Sequence, residues 1–248
     1  MEWTTLLWFA VGWFFGGFVN GITGFGAAMA AMPFVLLGMD VKTAVPACSL
    51  LVLVASLEQG WRYKGFTDWS RVMPLVYGAV PGAFAGALAL RFLPPDYLKC
   101  ALGLFLFSYA SWGLFFEGRT ATVISNKWGY LAGFLSTTFG TAFSFNGPPL
   151  AVYTTLSGWN KETSKAGLAV FFIITCVLMI SSQIIAGMHS LVTFSGLLVG
   201  TPCTLLGAAV SFRLTKRMGD NTYRKLLFLF LGITGTSFLY QSLRVLME

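Results

Sequence analysis

Two stretches of this chain combine residue types that recognise a solute without carrying charge. The first reads Asn20-Gly21-Ile22-Thr23-Gly24-Phe25-Gly26-Ala27-Ala28. The second runs from Ser136-Thr137-Thr138-Phe139-Gly140-Thr141 through Ala142-Phe143-Ser144-Phe145-Asn146 to Gly147-Pro148-Pro149. A helix that starts just after such a turn presents unpaired N–H groups and the positive end of its dipole, and glycine lets an oxyanion come close to the backbone. Pro148 and Pro149 fit a first helical turn, where a missing N–H breaks no bond. The chemistry is anion binding by neutral donors. The candidate set is Asn20, Thr23, Gly24, Phe25, Gly26 and Ala27 in the first turn, with Thr137, Thr138, Gly140, Thr141, Ser144, Phe145, Asn146, Gly147 and Pro148 in the second. Backbone amides near Gly24 to Ala27 and Gly140 to Pro148 hold the oxygens in this reading. Thr23, Thr138, Ser144 and Asn146 add side-chain donors, and Phe25 and Phe145 line or gate the space.

Each of these residue types also has a purely structural use. Glycines such as Gly12, Gly16, Gly17 and Gly21, or Gly78, Gly82 and Gly86, let apolar helices pack closely. Ser and Thr hydroxyls often bond their own backbone. A buried carboxamide such as Asn20 or Asn146 can tie two helices as well as hold a ligand. Gln59 and Gln183 are supporting candidates further out. Other chemistries have little to work with. Cys48, Cys100, Cys176 and Cys203 stand apart with no CxxC pair, and His189 is the one histidine, so neither a metal, a cofactor nor a hydrolase site is expected. Glu58, Asp68, Asp96 and Glu117 fall at segment ends, which leaves no deep carboxylate to carry a proton.

The elements that position these turns are set by composition. Of 248 residues 56% are hydrophobic and only 10% charged, with a mean hydropathy of +0.74, whereas soluble domains carry about 25% charge. That excludes an independent soluble domain, and it turns the excess of 16 Lys and Arg over 9 Asp and Glu from a nucleic-acid signal into a topological one. The amino terminus lacks the basic run of a cleaved leader and reads as part of the first membrane segment. Apolar stretches fall near 4–38, 43–58, 70–93 and 97–116, then 126–157, 163–186, 191–212 and 222–246. The first of each four is too long for one crossing and too short for two, and glycine interrupts its middle.

The two groups of four match one another. Gly17, Phe18, Gly24 and Pro33 fall on Gly133, Phe134, Gly140 and Pro149 at one offset. Gly38, Asp40 and Thr43 then fall on Gly158, Asn160 and Thr163, with Pro81 and Gly86 on Pro202 and Gly207, and Tyr97 and Lys99 on Tyr223 and Lys225. If the interrupted segments dip in and return, the halves are inverted and the positive-inside rule is best satisfied. The inner connections then hold Arg62, Lys64 and Arg71; Arg119 and Lys127; Lys161 and Lys165; and Arg213, Lys216, Arg217, Arg224 and Lys225. Lys42, Arg91, Lys99 and Arg244 remain on the outer side. The expected fold is an all-α polytopic membrane protein of two inverted repeats, residues 1–120 and 121–248, each a broken-helix hairpin plus three transmembrane helices. Non-helical chain at depth must be enclosed or line a cavity, so the site belongs between the halves near the bilayer midplane.

The glycine-rich first turn followed by Pro33 and Gly38-Met39-Asp40, with Gly140 and Asn146-Gly147-Pro148-Pro149 in a duplicated four-plus-four pattern, resembles the TauE/SafE sulfite exporter family over nearly the whole chain. The resemblance implies a bacterial inner-membrane carrier, most simply an exporter, of sulfite or a small organosulfonate. Thr141-Ala142-Phe143-Ser144-Phe145 is less glycine-rich than the family pattern and bears on substrate size. Alternating access is expected; a passive anion channel, or less readily a membrane enzyme or assembly subunit, is the competing reading. The partners are a small anion and the lipid bilayer, without nucleic acid and with a homo-oligomer left open.

Overall fold

The computed structural model describes residues 3–115, 124–159 and 161–214, together with 232–233, 235–236, 239–240 and 244. The regular secondary structure of the described residues is all α-helix, with no strand among them. The helices are α1 (Trp3–Thr23), α2 (Ala27–Val35), α3 (Val41–Arg62), α4 (Trp69–Phe92), α5 (Pro95–Phe115), α6 (Trp128–Phe143), α7 (Gly147–Leu156), α8 (Lys161–Ile185) and α9 (Leu191–Leu214). Most of the eighth expected segment, 222–246, lies outside the described residues, as do Arg119, Asn160, Lys216, Arg217, Arg224 and Lys225.

Both long amino-terminal segments are interrupted, and the interruptions are short. The first is residues 24–26, where Gly24 and Gly26 take φ of +85° and +84°. The second is 144–146, where Ser144 takes φ of 62°, a left-handed conformation that costs a non-glycine residue roughly 1–2 kcal/mol. Asn20 to Thr23 and Ser136 to Phe143 remain helical. The expected broad turns are therefore narrower, and Gly140 sits inside α6 rather than in a break. The limbs are also unequal. α1, with 21 residues, is long and apolar enough to cross a membrane by itself, whereas α2 has nine residues and rises only about 13 Å.

Each hairpin closes at its open end. Thr5 Oγ1 donates to Gly38 O at 3.1 Å, and Gly12 and Gly16 face the carbonyls of Ala31 and Ala27, so α2 runs back beside α1. In the second hairpin Ile124 N donates to Leu156 O at 3.3 Å and Gly129 packs on Tyr153. The two hairpins open at opposite ends of the helix array. The first opens where Lys42 Nζ donates to Arg91 O; the second opens where Arg71 lies 5.9 Å over the Trp159 ring and Lys165 meets Tyr63. Lys42 and Arg91 thus lie toward one end of α4 and Arg71 toward the other. One placement is corrected: Lys165 is not in a connection but in α8, and is 8% exposed.

Packing crosses the midpoint of the chain. α1 lies along α9, α6 along α4, and α3 against α8. Glycines make these contacts possible, because Gly17 abuts Thr204 O, Gly207 abuts Phe14 O, Gly78 abuts Tyr130 O and Gly133 abuts Leu75 O, and a Cβ at any of them would overlap the carbonyl. Such backbone approach supplies dispersion that lipid, itself apolar, cannot otherwise drive. Five helices are long and apolar enough to span a bilayer, and exposed Leu, Phe and Trp side chains such as Phe84, Leu88, Leu198 and Trp61 cover the outside. Gly78→Leu and Gly133→Leu are expected to eliminate the monodisperse peak of detergent-extracted protein on size-exclusion chromatography. Gly65→Ala, at φ +98° with nothing within 4 Å, is expected to lower stability by only about 1–2 kcal/mol through backbone strain.

Candidate functional site

The tips of the two hairpins meet. A Cβ at Gly147, the first residue of α7, would fall 2.6 Å from the Phe25 ring, so the ring of one break occupies the notch left by glycine in the other. Around this contact lies a small cavity bounded by Asn20, Phe25, Gly26, Ala27, Ser144, Phe145, Asn146 and Gly147, with Ala28, Met29, Val52, Ser56 and Phe172 completing the wall. It leaves space for little more than one water.

The amino ends of α2 and α7 both open here. The first amides of α2, from Ala27, have no preceding carbonyl of the same helix to bond, and the N-cap Gly26 offers no side chain in their place. α7 is different, since Pro148 and Pro149 have no N–H to give. The prolines that make the start of α7 helical therefore also remove donors from it, and the carboxamide of Asn146 stands in their place. Asn146 is 5% exposed, its backbone carbonyl accepts from Ser136 Oγ at 2.5 Å, and its Nδ2 has no partner among the described residues. An unpaired buried N–H costs about 1–3 kcal/mol. The first break contributes backbone donors and the second a side-chain donor.

The other expected residues divide sharply. Asn20 borders the cavity while donating through Nδ2 to Gln59 Oε1 at 3.3 Å, so it is both lining and interhelical tie. Ser144 also borders it, but its Oγ donates to Val45 O at 2.9 Å and lies 3.1 Å from Ser49 Oγ. Thr23 turns away: Oγ1 accepts from Phe25 N at 3.2 Å and stands 3.0 Å from Val19 O and 2.5 Å from Phe25 O, which is local turn bonding. Gly24 faces Gln59 and Lys165 rather than the cavity. Thr138 and Thr141 lie against Gly86 of α4, and Gly140 against Asn146 and Met179. Thr137 is fully buried without bordering the cavity. The hydroxyls of Thr137, Thr138 and Thr141 have no partner among the described residues. The side chain of Pro148 lies outside the described residues.

Both glutamines prove central to the scaffold. Gln183 is fully buried and donates through Nε2 to Thr141 O at 3.0 Å and Ser49 Oγ at 3.1 Å, holding α8 to α6 and α3 behind the second break. Gln59 donates to Lys165 O at 3.2 Å. Sequence reasoning misses Val52, Ser56, Met29 and Phe172, because their places on α2, α3 and α8 follow from the azimuth of each helix, which single-segment reading does not give. Among the described residues no group of three His, Cys, Asp or Glu side chains could hold a metal. His189, between α8 and α9, is held below the usual imidazole range by burial and borders none of this.

The sequence matches sulfite exporter TauE/SafE over residues 9–238. The chain belongs to the TauE/SafE family. Members of this family are membrane transporters and not enzymes. Comparison with curated proteins and with solved structures returns no match. As a TauE/SafE protein the chain is a multi-pass membrane protein of a sulfite and sulfonate exporting family. Asn146→Leu is expected to raise the melting temperature of the ligand-free protein modestly, because it removes an unpaired buried donor. The same substitution is expected to weaken sulfite-induced thermal stabilisation by about 10–100-fold in apparent affinity, from a lost hydrogen bond to an anion.

Proposed function

We propose that this chain carries sulfite or a small organosulfonate across the bacterial inner membrane, outward, by alternating access between two inverted repeats. The observation that carries the reading is the convergence of the α2 and α7 amino ends and the unpaired Asn146 Nδ2 on one enclosed space. Peptide and carboxamide donors arranged around a cavity suit the weakly basic oxygens of a sulfur oxyanion, and the helix dipoles supply positive potential without a formal charge.

Inverted repeats are supported by the opposite opening of the hairpins and by the way contacts exchange. α1 lies on α9 as α6 lies on α4. Phe14 O meets Gly207 as Tyr130 O meets Gly78, and Gly17 meets Thr204 O as Gly133 meets Leu75 O. Phe14 and Tyr130 differ by the same offset that relates Gly17 to Gly133, so the packing favours Gly78, in place of the sequence-aligned Gly86, as the counterpart of Gly207.

A cavity with space for about one water cannot hold a sulfonate as it stands. Substrate entry then requires the breaks to part, which favours a carrier over a passive channel. The expected result in proteoliposomes is saturable sulfite uptake that is accelerated by sulfite trapped inside. Gly147→Val, which drives a side chain into the Phe25 ring, is expected to cut that exchange at least tenfold. Flux that does not saturate and ignores trapped substrate rejects the carrier in favour of a channel.

A further inference from the structure

A second cavity lies on the other face of the first break, between Asn20, Gly24, Gln59, Tyr63 and Lys165, with the Glu58 and Arg62 pair at its rim. The side chain of Asn20 is common to the walls of this cavity and the central one. That side chain is held by a chain of two bonds, Asn20 Nδ2 to Gln59 Oε1 and Gln59 Nε2 to Lys165 O.

Lys165 is the unexpected member. More than nine-tenths of it is buried, and its stem lies against Gly24, with Cγ 3.2 Å from where a Cβ would stand. Its Nζ donates to Tyr63 Oη at 3.1 Å and stands 5.2 Å from the centre of that ring. No carboxylate pairs with it among the described residues. Glu58, the acid bordering the same cavity, is bound to Arg62. An ammonium has three N–H donors, and Tyr63 takes one. A buried cation without a counter-charge is costly. The cavity, like the central one, has space for only about one water, so the small anion that supplies the counter-charge enters as the side chains around Lys165 part.

We propose that Lys165 with Tyr63 forms a second oxyanion site, a docking point at the mouth of the first break from which the solute passes Asn20 to reach the central cavity. The ligand class is a small sulfur oxyanion, with chloride as a weaker occupant. The site's part in flux rests on the transport reading above; its binding of anions does not.

The test uses the full-length protein purified in detergent. Thermal stabilisation is titrated with sulfite at low and high chloride for wild type, Lys165→Met, Lys165→Arg and Asn146→Leu, and sulfite exchange is measured for each in proteoliposomes. The expected result is that Lys165→Met melts no lower than wild type, raises the sulfite concentration needed for half-maximal stabilisation at least tenfold, and loses the chloride dependence. Lys165→Arg retains both within about threefold, and Asn146→Leu keeps the chloride dependence while losing exchange. Unchanged half-saturation and unchanged chloride dependence in Lys165→Met overturn the docking site, as does a wild type that responds to neither anion. Chloride-dependent stabilisation abolished by Lys165→Met, in a wild type that exchanges no sulfur anion, keeps the docking site and overturns the transport reading instead.

Discussion

Backbone amides left without helical carbonyls at two breaks are the constraint from which this molecule is built. Polar groups freed by a helix break cost several kcal/mol where lipid covers them, and this chain of a membrane-protein family has two such breaks. The protein must then wall both breaks off from hydrocarbon, and it does so by placing each break against the other and against the middle of α3 and α8. Val52, Ser56 and Phe172 supply apolar and small polar cover, while Gln59 and Gln183 brace the walls from behind. The long apolar helices serve as the enclosure.

The enclosure works because the helices can come close. Where α4 meets α6 and α1 meets α9, glycine after glycine faces a carbonyl rather than a side chain. Two stripes of small residues thereby bind each hairpin to a helix from the other half of the chain. Neither half encloses its own break, so the closed cavity is a property of the exchanged arrangement.

Much of this is legible in the residues. The all-helical build and the two interruptions follow from length, apolar composition and glycine placement. Direction around a helix axis is not legible. Thr23 and Thr141 lie near the breaks in sequence, yet the hydroxyl of Thr23 bonds its own turn and the side chain of Thr141 packs on Gly86 of α4. Gly140 reads as part of the second turn by composition, but lies inside α6 against Asn146 and Met179. A lysine so near a loop is ordinarily solvated, which is why the sequence alone places Lys165 in a connection; its burial depends on Tyr63 and Gly24, from distant parts of the chain.

The Phe25 ring seated in the gap over Gly147 has a mechanical corollary. An aromatic ring seated where its neighbour has only hydrogen acts as a detent: separation must first lift the ring from its seat. The two broken elements are thus latched by one residue from each, and neither can draw away from the other without unseating the same key.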